Sequence, residues 1–448
     1  MNELFQKMKV STFKNTLLFT YSIFTIEPEN IRYMCSSANF DSWNIGDRPK
    51  AFHPLLGDGI FSSEGTSWKH SRIMLRPFFT KENIKQITLM EPYVQRVIKL
   101  LKQKQGKVVD LQEIFQFFTI DYTTKFLLGE SCDALKDALG ETTSNAINKD
   151  LKLQFAEAFD QASESLMLRM ALGKYFMWLV NSKPFHQAIK TQHDFVEYYI
   201  QKALALDEDE LTKVSQNNFT FLYEIAKQTK DKSVLRDEIM SIILAGRNTT
   251  SSLLTFLFFE LSRNEEIYEK LKQEIRQKFT SVESITFASI QDCEYLRWCI
   301  YETLRHSPAV PFSSKTATVN TILPTGGGED GKSPVFVRKG QKVIYSMFTA
   351  NRTPKYFGAK TEEFIPERFA ELPKSGGSAF MPFSTGPRLC LGQQLALTET
   401  SYMTIRLLQT FDSIKQAPNT PYPPRTNFSA TMRLMDGCPV LVDSKVEA

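Results

Sequence analysis

The sequence contains few cysteines, and none of them forms a CxxC pair. Its 448 residues include six scattered cysteines: Cys35, Cys132, Cys293, Cys299, Cys390 and Cys438. Structural zinc sites need closely spaced cysteine pairs, and small secreted disulfide scaffolds need a much higher cysteine density. The pattern therefore argues against both classes and favours a reducing, intracellular setting, in which each cysteine is judged by its neighbours.

An excess of charge of one sign is also missing. The chain carries 54 lysines and arginines against 50 aspartates and glutamates, which gives a formal net charge of +4 and a pI near 8.5. No dense run of basic residues stands out. Because a nucleic-acid-binding surface is recognised by clustered positive charge, the sequence predicts no nucleic-acid partner.

No uninterrupted apolar run is long enough to predict a membrane span. The first 30 residues contain apolar side chains, but Lys14, Asn15 and Thr16 interrupt them, which excludes a signal peptide or a spanning helix there. The longest apolar stretch, 241–261, has Arg247 and Asn248 near its middle, and such groups are costly in lipid. That stretch is predicted to be a buried helix.

Internal repeats and linkers rich in Pro, Gly or Ser are absent as well, and the pattern favours one mainly helical (α+β) domain over residues 1–448. Short strands are predicted over 12–18 and 23–26, before a helix that opens at Pro28. A long, mostly apolar helix is expected over 235–264, and a last long helix over 391–408.

The strongest chemical signal is the segment FSTGPRLCLG, residues 383–392. Cys390 comes just before the predicted last helix, where backbone N–H groups and the helix dipole stabilise a thiolate. Gly386 and Gly392 allow the backbone to approach a flat, bulky group, and Arg388 adds a fixed cation. A lone cysteine is more often a buried thiol, but the glycines and the arginine favour a cofactor ligand.

This segment matches FxxGxRxCxG, the haem-binding signature that identifies members of the cytochrome P-450 superfamily. The resemblance implies a helical fold with small β-sheets around a buried haem b, whose iron takes the Cys390 thiolate as axial ligand. It also implies that Phe383, Gly386, Arg388 and Gly392 contact the haem. An axial thiolate favours cleavage of the O–O bond of dioxygen.

Two upstream motifs resemble the family's structural network. Glu302 and Arg305 form an ExxR pair, in which a carboxylate and a guanidinium three residues apart share one helix face. Arg368 lies in a PERF segment that completes a Glu-Arg-Arg network. An isolated ExxR is usually a solvated surface pair, but the resemblance implies a buried, non-catalytic network that supports the haem pocket.

The long apolar helix contains AGRNTT, residues 245–250, which resembles the family's oxygen-binding AGxDT segment. The resemblance implies that Ala245 makes room for dioxygen and that the Thr249 hydroxyl holds it and guides protons. The glycine of this segment is costly inside a helix, and close approach of a ligand would justify it. The alternative is a Ser/Thr patch that bonds back to the helix backbone. Asn248 stands where the family has an acid, so proton delivery by a carboxylate is not expected at that position.

A weaker motif, Trp68 and Arg72, resembles the family's WxxxR, whose two side chains reach a haem propionate. Their spacing of four places both on one face of a helix. Lys315 stands where relatives carry an arginine, so a point charge is expected to replace a bidentate fork at the propionate.

The resemblance covers nearly the whole chain and is strongest to the fungal alkane- and fatty-acid-hydroxylating branch, on segments such as LLGDGIF and CLGQQLALTE. It implies a monooxygenase that inserts one atom of O2 into a lipophilic substrate. Proteins of that branch normally begin with a membrane helix and a hinge, which are not found in this sequence. The predicted pocket walls are all apolar, as a lipophilic substrate requires: Phe52, Leu56, Phe61, Leu244, Val310, Phe312 and Met432.

Electrons must come from another protein, because the chain has no flavin or iron–sulfur signature. The resemblance implies an NADPH-cytochrome reductase, which Lys69, Arg72 and Arg76 would attract by their charge. It also implies the cytosolic face of the endoplasmic reticulum membrane, with peripheral membrane contact by a chain that has no predicted transmembrane segment.

Two other readings stay open from the sequence. The first keeps the haem but drops the oxygen chemistry, as in a rearrangement enzyme or a degenerate haem-binding protein; Thr249 argues against it, and Asn248 leaves it open. The second is a P-loop NTPase, because residues 326–333 satisfy GxxxxGK[ST]. A P-loop must open a helix, whereas Pro334 and a β-type run follow here, so a hairpin loop is the favoured interpretation.

Overall fold

The computed structural model describes residues 5, 7–17, 20–80, 87–141, 146–207, 209–211, 220–372, 377–428 and 430–444. The chain divides into two compact units. Unit 1 contains residues 1–46 and 294–393, and unit 2 contains residues 47–293 and 394–448. Each unit is built from segments that are distant in sequence.

Unit 1 is organised around a five-stranded mixed sheet in the order β1-β2-β8-β5-β3. Strands β2 and β8 pair in parallel, and the other neighbours are antiparallel. A separate antiparallel hairpin joins β6 and β7. The strands are β1 Thr12–Leu17, β2 Thr20–Thr25, β3 Trp43–Asn44, β5 Phe312–Ala317, β6 Thr321–Gly327, β7 Ser333–Val337 and β8 Lys342–Ser346.

Apolar residues from the strands and the first helix form the core of unit 1. Ile23, Val343 and Leu323 are fully buried, and Met34 of the helix Pro28–Cys35 packs with them. The helices of unit 1 are α1 Pro28–Cys35, α13 Glu294–His306, α14 Met347–Ala350, α15 Pro354–Phe357 and α16 Arg368–Glu371.

Unit 2 is mainly helical. Its helices are α2 Arg48–Leu56, α3 Gly65–Leu75, α4 Glu91–Gln103, α5 Leu111–Leu128, α6 Ala134–Ala138, α7 Ala146–Phe176, α8 Lys183–Leu204, α9 Phe221–Gln228, α10 Lys232–Arg263, α11 Glu265–Lys278 and α12 Phe287–Gln291. The last helix of the chain, α17 Gln393–Thr410, begins at the final residue of unit 1 and runs through unit 2.

Two small antiparallel sheets complete unit 2. One has the order β4-β12-β9, and the other is the hairpin β10-β11. Their strands are β4 Val109–Asp110, β9 Phe411–Gln416, β10 Thr426–Phe428, β11 Met432–Leu434 and β12 Pro439–Ser444. The prediction of a mainly helical fold with small sheets is confirmed, whereas the prediction of a single domain stays a prediction.

Helix α10 is the long apolar helix that the sequence predicts, and it begins three residues earlier than expected. The Asp231 side chain caps it by accepting hydrogen bonds from the N–H groups of Ser233 and Val234. Among the described residues it alone is long and apolar enough to cross a membrane, yet 72% of its most apolar window is buried inside the structure. A core helix meets the same test, and the burial supports that interpretation.

The P-loop reading is wrong on structural grounds. Residues 326–333 end strand β6, turn, and begin strand β7, and the Gly326 N–H donates to the Gly331 carbonyl across the turn. No helix follows the loop in this described segment, so its amides cannot form the helix-terminus phosphate cradle that a P-loop needs.

Candidate active site

The cysteine loop of unit 1 is held by its own backbone. Residues Gly386–Arg388 form a single 3-10 turn, and the Cys390 N–H donates to the Phe383 carbonyl at 3.0 Å. Helix α17 begins at Gln393, two residues later than predicted, so Cys390 precedes the first helical turn by three residues. Cys390 is the exposed cysteine of the six, and the other five are buried.

Gly386 is required at its position by the chain itself. Its φ of +70° is one that residues with a side chain rarely adopt, and a Cβ there would lie 1.8 Å from the carbonyl oxygen of Cys35. The loop therefore passes directly over the end of helix α1. Approach of a cofactor, which the sequence suggested as the reason for this glycine, is not needed to explain it.

Arg388 and Leu389 flank the thiol on its amino-terminal side. The Arg388 guanidinium lies 5.9 Å from the centre of the Phe40 ring, within cation–π range. The Leu389 side chain is 39% exposed, and Leu391 is half-buried. The surroundings of Cys390 thus combine a cation with accessible apolar surface.

Glu302, Arg305 and Arg368 lie together in unit 1. Arg305 donates to both carboxylate oxygens of Glu302 at 2.7 Å, and Arg368 Nε lies 3.6 Å from Glu302 Oε1. The Ile365 N–H also donates to Glu302, at 2.9 Å. Neither Glu302 nor Arg305 is exposed. The pair is therefore not the solvated surface pair that an isolated ExxR usually forms.

Arg305 also ties the chain that leads toward the cysteine loop. Its guanidinium donates to the carbonyls of Asn351, Thr361 and Glu363 at 2.9–3.2 Å. One buried arginine therefore supplies donors to three carbonyls in two separate turns of the backbone.

Three more predicted site residues lie in unit 1. Lys315 is on strand β5 and is only 6% exposed, while Phe312 at the start of that strand is half-buried. Val310 precedes the strand and is 45% exposed. A buried lysine requires compensation of its charge, which is consistent with a role toward an anion.

In unit 2, Ala245 and Thr249 occupy one face of helix α10, four residues apart. Both are half-buried, whereas the helix is fully buried from Thr250 to Leu261. The Thr249 hydroxyl donates to the Ala245 carbonyl at 2.6 Å. This is the bond back to the helix backbone that was the alternative to a role in oxygen binding. With its proton used there, the Thr249 oxygen keeps acceptor capacity.

Asn248 is nearly buried, and within the described part of the chain its Oδ1 atom has no hydrogen-bond partner. Such an acceptor is costly to bury unless a ligand or an ordered water donates to it. The next residue toward the amino terminus, Arg247, is paired instead: its guanidinium binds both carboxylate oxygens of Asp160, at 2.6 and 3.1 Å.

The glycine of the AGRNTT segment is explained by helix packing. A Cβ on Gly246 would lie 3.1 Å from Thr123 Oγ1 and 3.3 Å from Thr123 Cγ2, on helix α5. The prediction that ligand approach justifies this glycine therefore needs correction, because a neighbouring helix occupies the space.

The remaining predicted residues of unit 2 differ in exposure. Arg72 lies 5.7 Å from the ring of buried Trp68 on helix α3, so the two share a face. Among the predicted pocket walls, Leu56 and Met432 are buried, and three others are half-buried: Phe52, Phe61 and Leu244.

A buried carboxyl that the sequence did not single out lies on helix α17. Burial raises the pKa of Glu399 to about 8, while a hydrogen bond with Thr250 opposes this shift. With this pKa, Glu399 is mostly protonated at neutral pH. Its partner Thr250 directly follows Thr249 on helix α10. A lone acid within the otherwise uncharged segment LALTETSYM was the signal available in the sequence.

Glu238 near the start of helix α10 is a second buried acid. Burial raises its pKa to about 7, while hydrogen bonds from Ser71 and the Ile60 N–H oppose the shift. Asp237 beside it accepts from the Asp58 N–H at 2.9 Å. These two residues had no motif to mark them in the sequence.

The chemistry of these residues fits a haem with a thiolate ligand. The site needs an accessible thiol, apolar surface beside it and cations for the propionates; Cys390, Leu389 and Arg388 supply the three. By contrast, burial raises the pKa of Cys438 well above the usual thiol value, which disfavours the thiolate that metal ligation requires.

Comparison with known proteins agrees with this chemistry. The sequence pattern described as cytochrome P450 matches residues 1–434. The chain is 54% identical to cytochrome P450 52C2 of Candida maltosa over 440 residues, which cover 98% of this chain and 86% of that protein. It is 50% identical to cytochrome P450 52C1 of Candida tropicalis, with coverage of 97% and 85%.

A solved structure shares the fold. The crystal structure of the cytochrome P450DA heme domain superposes with a TM-score of 0.80 at 17% identity, covering 99% of this chain and 91% of that one. At this identity the likeness concerns the fold alone, and the family rests on the sequence matches. The chain belongs to the cytochrome P450 family: it is a haem-thiolate monooxygenase that binds haem b, uses O2 and electrons from a redox partner, and acts on a lipophilic substrate.

Proposed function

We propose that Cys390 is the axial ligand and that the chain hydroxylates n-alkanes or fatty acids. The observation that carries the proposal is the exposed Cys390 within FxxGxRxCxG, whose backbone N–H donates to the Phe383 carbonyl. When bound, the haem would supply the oxidising chemistry by which O2, a C–H bond, two electrons from the redox partner and two protons give an alcohol and water.

The roles of the other residues follow from their chemistry. Trp68, Arg72, Lys315 and Arg388 bind propionates through their N–H groups and charge, while Phe383, Gly386 and Gly392 shape the loop around the ligand. Their exposures and contacts support this assignment because the cations lie beside aromatic rings or in buried surroundings.

Ala245 and Thr249 of helix α10 form the binding position for dioxygen: Ala245 leaves room for it, and Thr249 holds it. The Thr249 oxygen accepts a hydrogen bond, because its own proton is donated to the Ala245 carbonyl. Asn248 Oδ1 accepts a hydrogen bond from a water or a substrate hydroxyl, because this buried oxygen needs a donor. An amide cannot take up a proton as a carboxylate does, so Asn248 positions a donor and does not relay protons.

The substrate class is supported by apolar side chains at the predicted pocket positions. Phe61 and Leu244 are half-buried and offer hydrocarbon surface without charge, as an alkyl chain requires. Leu56 and Met432 are 0% and 1% exposed, so other parts of the protein cover them. The strong resemblance to the alkane- and fatty-acid-hydroxylating branch favours straight-chain substrates.

The redox partner is proposed to be an NADPH-cytochrome reductase. Lys69 and Arg76 on and after helix α3 are exposed, and Arg72 between them is half-buried. Exposed cations spaced at one to two helical turns attract an acidic partner and accelerate encounter. The test is the rate of electron transfer from the reductase to the haem-loaded protein. This rate is expected to fall with added salt and in Lys69→Glu.

Contact with the cytosolic face of the endoplasmic reticulum membrane is proposed through a patch formed by the end of helix α7 and the residues that follow it. Tyr175, Trp178 and Leu179 are 57–63% exposed, and Lys174 lies beside them. Aromatic side chains with a neighbouring lysine are suited to a membrane interface that carries negative charge.

Replacement of the proposed ligand tests the central claim. Cys390→Ala is expected to abolish the thiolate-type absorption of the reduced carbon monoxide complex, whereas Cys438→Ala, which removes a buried thiol, is expected to keep it. An unchanged spectrum in Cys390→Ala would refute the assignment. Products from a panel of n-alkanes and fatty acids, identified by mass spectrometry, test the substrate class.

A further inference from the structure

The end of helix α2 and the backbone that follows it are held by side chains from two other helices of unit 2. The Asp58 N–H donates to Asp237 Oδ2 at 2.9 Å, and the Ile60 N–H donates to Glu238 Oε2 at 3.1 Å. The Leu55 carbonyl lies 2.8 Å from His193 Nε2 on helix α8. The clamped segment, residues 55–60, begins in the last turn of helix α2 and takes part of its hydrogen bonding from side chains.

Two glycines allow the clamped segment to run against helix α10. A Cβ on Gly57 would lie 1.9 Å from Asp237 Oδ2. A Cβ on Gly59 would lie 2.5 Å from the Asp237 carbonyl oxygen. The second contact is with backbone, which cannot move aside as a side chain can. The sequence GDG and the adjacent acids of helix α10 are thus complementary in shape as well as in hydrogen bonding.

The two acids are fixed in place. Asp237 and Glu238 are 7% and 2% exposed, and Asp237 Oδ1 accepts from Arg236 at 3.0–3.1 Å. Burying a carboxyl that has no hydrogen-bond donor costs free energy. The hydrogen bonds from the Asp58 and Ile60 N–H groups therefore strongly favour the observed position of the segment. Carboxyls of adjacent residues on one rigid helix therefore define the path of the segment.

Predicted substrate contacts stand at the clamped segment and next to it. Leu56 is inside the segment, Phe61 follows it directly, and Phe52 is one helical turn before Leu56. A shift of the backbone at Asp58 or Ile60 would move Leu56 and Phe61 together, because no more than two residues separate either one from a clamped amide.

We propose that Asp237 and Glu238 are positioning residues that set the substrate preference of this monooxygenase by fixing the clamped segment and with it Leu56 and Phe61. The inference rests on the proposed function, in which the half-buried Phe61 contacts an alkyl chain, while the buried Leu56 anchors the segment in the core. It assigns specificity to two polar residues that need not touch the substrate.

The test measures binding of substrate to the haem-loaded protein. The variants are Glu238→Met, which keeps the side-chain length but removes the acceptor, and Glu238→Gln, which keeps an acceptor oxygen. Each is titrated with fatty acids and n-alkanes of graded chain length, and dissociation constants are read from the substrate-induced change of haem absorption. For Glu238→Met we expect about tenfold weaker binding of the preferred chain length, which is an effect on the scale of one hydrogen bond, and a changed rank order.

Glu238→Gln is expected to restore the wild-type rank order. The matched control is Glu197→Gln on helix α8, which removes a carboxylate that binds Arg236 at 3.2 Å next to the clamp and leaves Asp237 and Glu238 in place. The control is expected to keep the wild-type order. If Glu238→Met does not fold, Glu238→Asp, whose carboxyl is one methylene shorter, is expected to show the same change of order to a smaller degree.

The outcomes separate this inference from the proposed function. Wild-type protein that binds alkyl chains, together with folded Glu238→Met that keeps the wild-type rank order, would overturn the inference alone. An equal change of order in Glu197→Gln would also overturn it, because the effect would then be one of charge. Wild-type protein that responds to no alkyl chain would overturn the proposed substrate class and the inference with it.

Discussion

Both carboxylate oxygens of Glu302 lie 2.7 Å from the guanidinium of Arg305, and neither side chain is exposed to solvent. The pair is separated from bulk water, and Arg368 and the Ile365 N–H add further contacts to the same carboxylate. Removal of one partner from a buried pair leaves the other charge uncompensated, which costs far more than the pair itself contributes.

Glu302→Gln is therefore expected to lower the free energy of unfolding by about 3–5 kcal/mol, measured by urea denaturation of the haem-loaded protein. Glu294→Gln is the control: Glu294 and Arg297 have the same spacing on the same helix, but Glu294 is exposed and Arg297 is only half-buried. Its effect is expected to stay within about 1 kcal/mol. Similar losses in the two variants would contradict the buried network.

Gly386→Ala is expected to reduce the amount of haem bound per chain strongly, because the new methyl group must displace the Cys35 carbonyl. Gly340→Ala separates strain from collision, since Gly340 has a φ of +81° but open space around its Cβ position. Strain alone costs about 1–2 kcal/mol, so Gly340→Ala is expected to lower thermal stability and leave haem binding unchanged. Normal haem content in Gly386→Ala would argue against the close packing of the loop.

The packing of Gly246 against Thr123 predicts a dependence between the two positions. Gly246→Ala gains helix propensity of about 1 kcal/mol but crowds Thr123. In a Thr123→Ala background that crowding disappears, so the same substitution is expected to stabilise the protein there and not in the wild type. A double-mutant cycle with thermal midpoints gives the coupling, expected to be about 0.5–3 kcal/mol. Additive effects would show that the two residues do not meet.

The raised pKa of Glu399 predicts how stability changes with pH. Unfolding returns this carboxyl from a pKa of about 8 to its usual value near 4.5. Between these values the folded chain holds a proton that the unfolded chain releases, so stability falls as pH rises from about 4.5 to 8. Glu399→Gln removes this contribution and is expected to flatten the thermal midpoint measured from pH 5 to 8.

Two checks accompany this measurement. Exposed Glu269 on helix α11 provides the control, and Glu269→Gln is expected to keep the wild-type slope. Glu238, whose pKa is raised to about 7, contributes a slope of the same sign and remains in both variants. An unaltered slope in Glu399→Gln would mean that Glu399 is ionised in the folded protein.

Asn248→Asp is expected to change the coupling of oxygen use to product, because a carboxylate at this position can exchange protons and an amide cannot. With the reductase present, we expect more product and less hydrogen peroxide per O2 consumed. Asn248→Ala removes the unpartnered Oδ1 and is expected to shift coupling in the opposite direction. Constant turnover and peroxide release in Asn248→Asp would contradict a role in proton supply.

The sequence alone determined the features that depend on local pattern. A long stretch that is apolar nearly all round predicted helix α10 to within three residues at its start, Pro28 marked the start of helix α1, and Pro334 excluded a P-loop helix. The cysteine motif identified the family, which the comparisons confirm. Such features survive because each is encoded by residues adjacent in the chain.

Only the tertiary structure decided why particular residues are required. The carbonyl of Cys35 crowds Gly386, and the side chain of Thr123 crowds Gly246, yet each neighbour is more than a hundred residues away. Glu399 is neutral, and Glu238 holds the Ile60 N–H, because burial and distant donors set those states. Desolvation and close packing arise only when separate segments meet, so no single stretch of sequence could have revealed them.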